Sequence, residues 1–413
     1  MSKAKSFDIS KRQVFEAYKA VKANRGSAGI DEVSISEFDN NLKNNLYKLW
    51  NRMSSGTYFP SPVKAVQIPK KDGGIRILGI PTVEDRIAQM VVKMSIEPKL
   101  EPHFLNDSYG YRPRRSAHDA IEITRKRCWK YNWVLEFDIK GLFDNINHEL
   151  LMKAVKTHTD NKWEILYIER WLKASIVNKD GIIEVRTVGT PQGGVISPIL
   201  ANLFLHYAFD KWMDRSFKNN SWCRYADDGL VHCSSKDEAE HILEQLKVRM
   251  QECKLEIHPD KTSIVYCKDS NRKEIHENIE FTFLGYTFRP RKAKARSGNS
   301  FTSFLPAISN KAKAHIRETI KNWYLLHQPG NNLIDLSDKY NPVIREWINY
   351  YGKYGRSELA KVIQHLNDHL VMWVMRKFKR YKRKKRSAVE YLHYISTKEP
   401  NLFAHWSINI LPN

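Results

Sequence analysis

The chain has 413 residues, of which 42% are hydrophobic and 11% aromatic. This length and composition predict two or three compact units with sizeable cores, and they exclude an intrinsically disordered protein. Lysine and arginine outnumber aspartate and glutamate by 68 to 46, which gives a formal net charge of +22. That excess favours a polyanionic partner, nucleic acid before an anionic membrane, because contacts between cations and phosphates release counterions.

The spacing of the cysteines and the lack of long apolar runs argue against disulfide-rich, secreted and membrane-spanning proteins. The five cysteines form no C-x-x-C pair, so we expect neither a disulfide framework nor a cysteine zinc site, which fits a reducing compartment. The amino terminus lacks the apolar region of a secretory signal, and no run of about 18 apolar residues is present to span a membrane. We therefore expect a cytoplasmic protein with no membrane partner.

The first hundred residues predict two helices separated by a hairpin. Apolar residues at helical spacing indicate a helix over 8–24, which Gly26 ends. Two β-rich runs over 65–80 indicate a β-hairpin, with its turn at Asp72-Gly73-Gly74. Helical periodicity then returns over 84–98.

The middle of the chain predicts a second group of strands. Alternation over 133–139 indicates a strand, and 221–233 indicates a hairpin that turns through Ala226-Asp227-Asp228-Gly229. A helix over 236–252 and a strand near 263–267 follow. This order is that of a split β-α-β palm within an α+β fold, in which antiparallel strands bring acidic residues to a common edge.

The last third of the chain is predicted to be helical. The basic segment 289–296 is predicted to be a loop, with a domain boundary near 295–305. An apolar stripe over 359–374 predicts a helix that runs into the basic segment 376–386, which contains nine lysines and arginines.

Three acids are the candidates for catalysis. Asp227 and Asp228 at a hairpin tip repel each other unless a cation lies between them, and hard cations such as Mg²⁺ prefer carboxylate oxygens. The alternative is an ordinary acidic turn. Asp138, at the end of an apolar strand, would complete a two-metal phosphoryl-transfer site with ions about 4 Å apart. Asp144 is a rival acid that more simply caps or orients the following helix.

Several segments, in this order, resemble those of reverse transcriptases and, more narrowly, of the reverse transcriptase–maturases encoded by bacterial group II introns. Two further carboxy-terminal segments continue the resemblance. The segments are Gly26–Asp31, Ile68–Arg76, Tyr109–Pro113, Phe137–Ile146, Gly189–Pro198, Tyr225–Asp228, His258–Thr262, Phe283–Tyr286, Asn341–Trp347 and Leu402–Trp406.

The resemblance implies a right-hand polymerase in a bacterial cytoplasm. Fingers and palm would occupy 1–295, including an amino-terminal extension at 1–60. A helical thumb and maturase (X) domain with the basic segment would occupy 296–386, and 387–413 would form a tail. The family uses two Mg²⁺ ions, for which Mn²⁺ is a possible substitute.

The resemblance also implies roles at the active site. Asp138 and Asp227 would ligate both metals, Asp228 would be a less direct ligand, and the carbonyl of Ile139 would also reach a metal. Lys261 would donate a proton to the leaving pyrophosphate, unless it is a phosphate-facing or surface lysine.

A nucleotide pocket is implied around the acids. Lys70 and Arg76 would close over the triphosphate, and Gln192 and Ala226 would line the pocket. Phe143 would stack under the deoxyribose and reject a 2′-hydroxyl. The alternatives are two solvated charges for Lys70 and Arg76, an exposed loop amide for Gln192 and a core ring for Phe143.

Nucleic-acid contacts are expected at Arg112 and along the basic segment, where aromatic residues interleave with cations. The alternative for that segment is a solvated tail. The contact residues would be Arg112, Arg376, Lys377, Lys379, Arg380, Lys382, Arg383, Lys384, Lys385 and Arg386.

The leading hypothesis is an RNA-directed DNA polymerase that takes an RNA template, a DNA primer and dNTPs, and that binds a structured intron RNA. One alternative is a domesticated relative in DNA repair or phage defence, and another is an RNA chaperone with a dead polymerase. An RNA-templated RNA polymerase is disfavoured by Phe143. No cysteine follows Cys267, so an HNH endonuclease and nicking of target DNA are not expected.

Overall fold

The structure is a computed structural model that describes residues 6–69, 74–295 and 297–413. The chain forms two compact units. The first extends to Ala120 and resumes over Leu135–Ser263, and the second comprises Ile121–Val134 and Ile264–Asn413. The chain therefore passes between the units after Ala120, Val134 and Ser263, and the domain boundary near 295–305 stays a prediction.

Several helices of the first unit begin at capping residues that the sequence supplies. The Ser10 hydroxyl accepts from the amide of Gln13, and the Ser235 hydroxyl accepts from the amide of Glu238, each at 3.1 Å. The helices that begin in this unit are α1 (Lys11–Ala23), α2 (Ile35–Asn40), α3 (Leu42–Ser54), α4 (Val83–Leu100), α5 (Ala117–Lys130), α6 (Leu142–Asn145), α7 (His148–His158), α8 (Lys162–Leu172), α9 (Ser197–Leu205), α10 (Lys211–Ser216) and α11 (Lys236–Glu252). The three predicted helices are confirmed as α1, α4 and α11.

Two sheets form around these helices. Their strands are β1 (Val63–Pro69), β2 (Ile75–Ile80), β3 (Trp133–Asp138), β4 (Ile176–Val177), β5 (Ile183–Glu184), β6 (Trp222–Tyr225), β7 (Asp228–Cys233) and β8 (Ser263–Tyr266). One sheet has the order β2-β1-β4-β5, and β1 and β2 form the predicted antiparallel hairpin. Asp72 and Gly73 of its predicted turn lie outside the described residues.

The second sheet carries the candidate acids. Its strands β6, β7 and β3 neighbour one another in that order. β6 pairs with β7 in antiparallel register, and Tyr225 faces Asp228. The turn is therefore only two residues long, Ala226-Asp227, shorter than predicted. Gly229 follows at a crowded point, since a Cβ there would overlap the ring of Phe137.

In the second unit, a hairpin replaces the predicted basic loop. A short strand β9 (Phe281–Phe283) precedes β10 (Tyr286–Lys294), which pairs along its length with β11 (Ser300–Ile308) in the order β11-β10-β9. The loop prediction for 289–296 is wrong over 289–294, because side chains there alternate along a strand whose apolar residues begin earlier, at Tyr286 and Phe288.

Helices form the rest of the second unit. They are α12 (Asn310–Asn322), α13 (Leu333–Tyr351), α14 (Arg356–Lys377) and α15 (Lys385–Lys398). The predicted apolar stripe of α14 is confirmed, since all six of its residues are buried in the core of this unit. The α+β class, with antiparallel strands followed by a helical domain, is thus confirmed. No helix within the described ranges is long and apolar enough to cross a membrane. The five cysteines, all of which the structure describes, are buried and form no disulfide.

Candidate active site

The three candidate acids come together in the first unit at the ends of β3 and β7. Asp138 is the last residue of β3, Asp228 is the first residue of β7, and Asp227 occupies the turn before it. The Asp228 carboxyl hydrogen-bonds to Asp138 and also feels the charge of Asp227. The structure thus places side chains together that are about ninety positions apart in the chain.

Burial and mutual repulsion perturb the acids of the turn. Burial, followed by the charges of Asp227 and Asp138, raises the pKa of Asp228 to about 7. Burial also raises the pKa of Asp227, and the charge of Asp138 adds to that shift while Lys261 and Arg76 oppose it. Carboxylates that share a partly buried site need a positive charge among them in order to ionise together.

The cation in direct contact with Asp138 is the ammonium group of Lys261. Its Nζ lies 2.9 Å from Oδ2 of Asp138, and that hydrogen bond raises the pKa of Lys261. Three carboxylates are a hard oxygen donor set that fits divalent cations. However, no three His, Cys, Asp or Glu side chains in the described part of the chain form a ready-made metal cage.

A buried ion pair supports the turn from behind. The guanidinium of Arg224 contacts both carboxylate oxygens of Asp210, at 2.7 and 2.6 Å, and both residues are fully buried. Burial alone would raise the pKa of Asp210, but the charge and hydrogen bonds of Arg224, together with the smaller effect of His206, outweigh burial and lower that pKa. Arg224 also donates to the carbonyl of Ala226 at 3.0 Å. It therefore fixes the backbone of the residue that precedes Asp227.

The turn itself has a constrained backbone. Ala226 is 6% exposed and has a φ of 57°, in the left-handed region that non-glycine residues seldom adopt. A Cβ at Gly110 would lie 2.5 Å from the amide nitrogen of Ala226. Asn202 holds the Gly110 carbonyl with a hydrogen bond of 2.6 Å. Sequence reasoning missed Arg224, Asp210 and Asn202, because nothing local marks residues whose partners are distant in the chain.

Two of the predicted nucleotide-pocket residues contact each other. The Arg76 guanidinium donates to the amide oxygen of Gln192, and the Gln192 amide donates to Asp144 at 3.3 Å. The backbone carbonyl of Gln192 accepts from the amide of Gly79 on β2 at 2.7 Å. Asp144 therefore orients Gln192, which differs from the predicted role of capping or orienting a helix. Lys70 lies outside the described residues.

Phe143 lies on α6 and is 8% exposed. Its ring meets that of Tyr111 edge to face, with the centroids 6.5 Å apart. Tyr111 has a φ of 56° and is half exposed, and its pKa is raised by burial and then by the charge of Asp227. Tyr111 therefore belongs to the site. Its role was missed because nothing in the sequence of the Tyr109–Pro113 segment indicates that Tyr111 contacts Phe143.

The structure gives Arg112 a different role from the predicted nucleic-acid contact. Its side chain is only 4% exposed and is paired with Glu101 at 2.8 Å. Its remaining donors reach backbone carbonyls, among them those of Leu105 and Ser108 at 2.6 and 2.7 Å. All of its N–H groups are engaged within the chain, which does not favour the predicted nucleic-acid contact, and that contact stays a prediction. Arg112 stabilises the segment that precedes Tyr111.

Ile139 is buried, and its backbone pairs with Ile257 in an isolated antiparallel bridge. Its carbonyl as a metal ligand stays a prediction. In the basic segment, Arg376, Lys379 and Arg380 are exposed, as is every residue from Lys382 to Arg386. Lys377 differs, because its ammonium binds the carbonyls of Pro329 and Asn331.

The interleaved aromatic residues of this segment face inward. Phe378 and Tyr381 contact the ring of Tyr391, with centroids 5.9 and 5.2 Å apart, and pack against the core of the second unit. Arg380 lies over the Tyr381 ring, 4.5 Å from its centroid. The expectation that these partly buried aromatic rings stack on bases is not favoured by this packing, and the fully exposed side chains of the segment are all cationic.

Comparison with known families agrees with this site. Residues 68–288 match the family described as reverse transcriptase (RNA-dependent DNA polymerase), and residues 313–391 match the group II intron maturase-specific domain. The chain belongs to the reverse transcriptase family and is an RNA-directed DNA polymerase, a class that uses divalent metal ions. With its maturase domain, it is of the group II intron type.

Two relatives match most of the chain, and the name of the first supports the narrower assignment. The chain is 26% identical over 423 residues to the group II intron-encoded protein LtrA of Lactococcus lactis, an alignment that covers 82% of this chain and 68% of LtrA. It is 32% identical over 304 residues to protein YkfC of Escherichia coli, covering 64% and 77% respectively. These matches do not favour a domesticated role. A telomerase structure from Candida albicans aligns over 91% of this chain and 68% of its own, with 12% identity and a TM-score of 0.47, too weak to support a conclusion.

Proposed function

We propose that Asp138, Asp227 and Asp228 catalyse the transfer of a deoxynucleotide to the 3′ end of a primer paired with an RNA template. The observation that carries the assignment is the partly buried cluster of three acids, in which the pKa of Asp228 is raised to about 7. Two Mg²⁺ ions, or Mn²⁺ in their place, would polarise the attacking 3′ oxygen and the leaving pyrophosphate when bound. Asp138 and Asp227 would hold both ions.

Nucleotide selection is assigned to residues around the acids. Arg76 would bind the triphosphate and Gln192 the nucleotide, since their side chains already contact each other. The ring of Phe143, which contacts Tyr111, would exclude a 2′-hydroxyl and so select dNTPs. Ala226 has a small side chain that would leave space beside the primer terminus. By resemblance, Lys70 joins Arg76 at the triphosphate.

Lys261 would have two successive roles. Before substrate binds, its ammonium neutralises part of the acid cluster through Asp138. Once the carboxylates hold metal, Lys261 would be free to donate its proton to the leaving pyrophosphate. A lysine ammonium is protonated at neutral pH even without the Asp138 contact, so Lys261 would reach that step with a proton to donate.

The two domains of the polymerase are assigned by resemblance. Residues 1–295 would form the fingers and palm, with the amino-terminal extension at 1–60, and 296–386 would form the thumb and maturase domain. The exposed cations of the basic segment would bind the backbone of a structured intron RNA and aid its splicing. Sequencing the RNA that purifies with the chain tests this role, and an absence of intron RNA would contradict it.

Primer extension on an RNA template with Mg²⁺ and dNTPs tests the catalytic assignment. Asp227→Asn keeps the size of the side chain and removes its charge, and it should abolish extension. Asp260→Asn is the matched control, because Asp260 is an exposed acid adjacent to Lys261. Equal activity in the two variants would contradict the assignment.

A further inference from the structure

The second unit contains a cavity of about 620 Å³, and five of the fifteen residues that line it are cations. It is enclosed by β10, β11, the start of α14 and the portion of α5 that belongs to this unit. Two carboxylates also line it. An uncompensated group of cations in a cleft attracts anions. The cationic lining consists of Arg125, Arg289, Arg291, Lys292 and Lys353.

The two carboxylates leave most of this charge uncompensated. Glu358 is held by Lys313 and by Lys361, at 2.7 Å for the latter, and these hydrogen bonds lower the pKa of Glu358 to about 2. Neither lysine lines the cavity. Glu280 lies 3.7 Å from Arg289 and is its partner.

The other cations of the cavity differ in whether they have a carboxylate partner. Lys353 reaches Glu122, outside the cavity, at 3.5 Å. Arg125, Arg291 and Lys292 have no carboxylate partner among the residues that the structure describes. Their charges are therefore available to a bound anion.

The two unpaired arginines are held in place without being neutralised. The Arg125 guanidinium lies over the rings of Trp129 and Tyr354, 5.0 and 5.1 Å from their centroids, and its buried Nε has no acceptor in the described part of the chain. Arg291 donates to the carbonyls of Leu305 and Thr287, at 3.1 and 3.2 Å. Aromatic rings and carbonyls orient a guanidinium but leave it positive, which suits recognition of phosphate oxygens.

We propose that this cavity binds backbone phosphates of a single-stranded nucleic acid, with Arg125 and Arg291 contacting the phosphate oxygens and Lys292 at the exposed rim. The cavity is larger than one phosphate requires, and its cations are distributed around it, so it suits consecutive nucleotides of a polymer better than a free nucleotide. Because the contacts are to phosphate, we expect RNA and DNA strands to bind alike. The site is distinct from the residues assigned to nucleotidyl transfer, all of which lie in the first unit.

Site-directed cross-linking tests the proposal independently of polymerase activity. Ser357 lines the cavity and is exposed, whereas the five native cysteines are buried. Ser357→Cys in the full chain, labelled with an azidophenacyl group, should cross-link to a short RNA oligonucleotide. Adding Arg125→Gln and Arg291→Gln should reduce the cross-link about fivefold or more, because the phosphate contacts are lost. Ser407→Cys, exposed but outside the cavity, gives the background.

A matched charge control and competitors complete the test. Lys294→Gln with Lys311→Gln removes two exposed charges outside the cavity and should leave the cross-link unchanged. If the arginine variant unfolds at a lower temperature, Lys292→Glu at the exposed rim replaces it, with the same loss expected. A DNA strand of the same sequence should compete.

Three results would overturn the proposal. The first is a cross-link at the Ser407→Cys background, and the second is a cross-link that survives the cavity substitutions. The third is displacement by AMP as effective as displacement by RNA, which would show that the cavity selects a free nucleotide.

Discussion

The acid site of the first unit and the basic segment of the second unit both depend on charge, but they are built in opposite ways. The acids converge from distant parts of the chain and are held by a buried Arg224–Asp210 pair and a crowded turn. The basic segment is contiguous in sequence, and most of its cations are exposed. The first arrangement makes each residue indispensable, whereas the second makes each residue replaceable.

The largest effect is expected for Asp227→Asn. Loss of one metal-binding carboxylate should reduce the rate of primer extension about a thousandfold or more, since several kcal/mol of transition-state stabilisation depend on the metal site. Single-turnover extension with saturating dNTP measures the chemical step. Asp260→Asn should retain the parental rate, and a loss of less than tenfold in Asp227→Asn would place the chemistry elsewhere.

Arg224→Met should come next. It leaves the buried carboxylate of Asp210 without its partner and frees the carbonyl of Ala226, which we expect to cost about 3–5 kcal/mol of folding free energy. Urea unfolding measures that change. Arg249→Met is the comparison, because Arg249 is also an arginine that binds carbonyls but is partly exposed. A similar small loss in both variants would show that the buried pair is not what supports the turn.

Substitution of Phe143 tests sugar selection. Phe143→Ala should raise the efficiency of ribonucleotide incorporation relative to dNTPs about a hundredfold, because the ring would no longer clash with the 2′-hydroxyl. Competition between rNTP and dNTP in primer extension gives the ratio. Phe209→Ala provides a control for loss of a buried ring that is not assigned to the nucleotide pocket. Unchanged discrimination in Phe143→Ala would remove its assignment as the steric gate.

The pKa of Asp228 predicts a smaller, pH-dependent effect. Since that pKa rises from an ordinary value near 3.8 to about 7 on folding, the folded state binds more protons than the unfolded state between these values. Without metal, this carboxyl should therefore make the protein less stable as pH rises through that window. Mg²⁺ should raise the melting temperature more at pH 8 than at pH 6, because it competes with the proton.

Thermal unfolding with and without Mg²⁺ at the two pH values measures this linkage. Asp228→Asn should weaken both the pH dependence and the difference in Mg²⁺ stabilisation, whereas Asp260→Asn should leave them as in the parent. A pH profile that Asp228→Asn does not alter would mean that another group titrates.

The smallest effects are expected in the basic segment. Replacing Arg383 alone by Gln should weaken RNA binding only about twofold and reduce the salt dependence by less than one counterion, since neighbouring cations compensate. Replacing Arg383, Lys384, Lys385 and Arg386 together should have a much larger effect. Fluorescence anisotropy at several salt concentrations gives both values. A large loss from the single change would contradict a replaceable array.

The local features of the fold could be predicted from the sequence. Helical periodicity predicted α1, α4 and α11, and turn residues predicted both hairpins. The β10–β11 hairpin was missed because Arg289, Arg291 and Lys292 hide the apolar alternation of its first strand. Charged side chains on a partly exposed strand are physically allowed, but they remove the pattern by which a strand is detected.

The active site could be predicted only in part from the sequence. Short motifs indicated the acids, Gln192 and Phe143, because their spacing along the chain is itself informative. The burial of Arg112 and the contact of Tyr111 with Phe143 depend on which distant segments pack together. Periodicity describes only neighbours along the chain, so it contains no information on such pairs.

The packing of Phe137 on Gly229 has an evolutionary consequence. A ring occupies the volume that any side chain at position 229 would need, one residue after an acid of the catalytic cluster. Random mutagenesis followed by selection for copying should therefore recover a single amino acid at 229, unless position 137 changes to a smaller residue in the same clone. Positions 137 and 229 are therefore expected to covary, whereas the exposed basic segment should tolerate single substitutions.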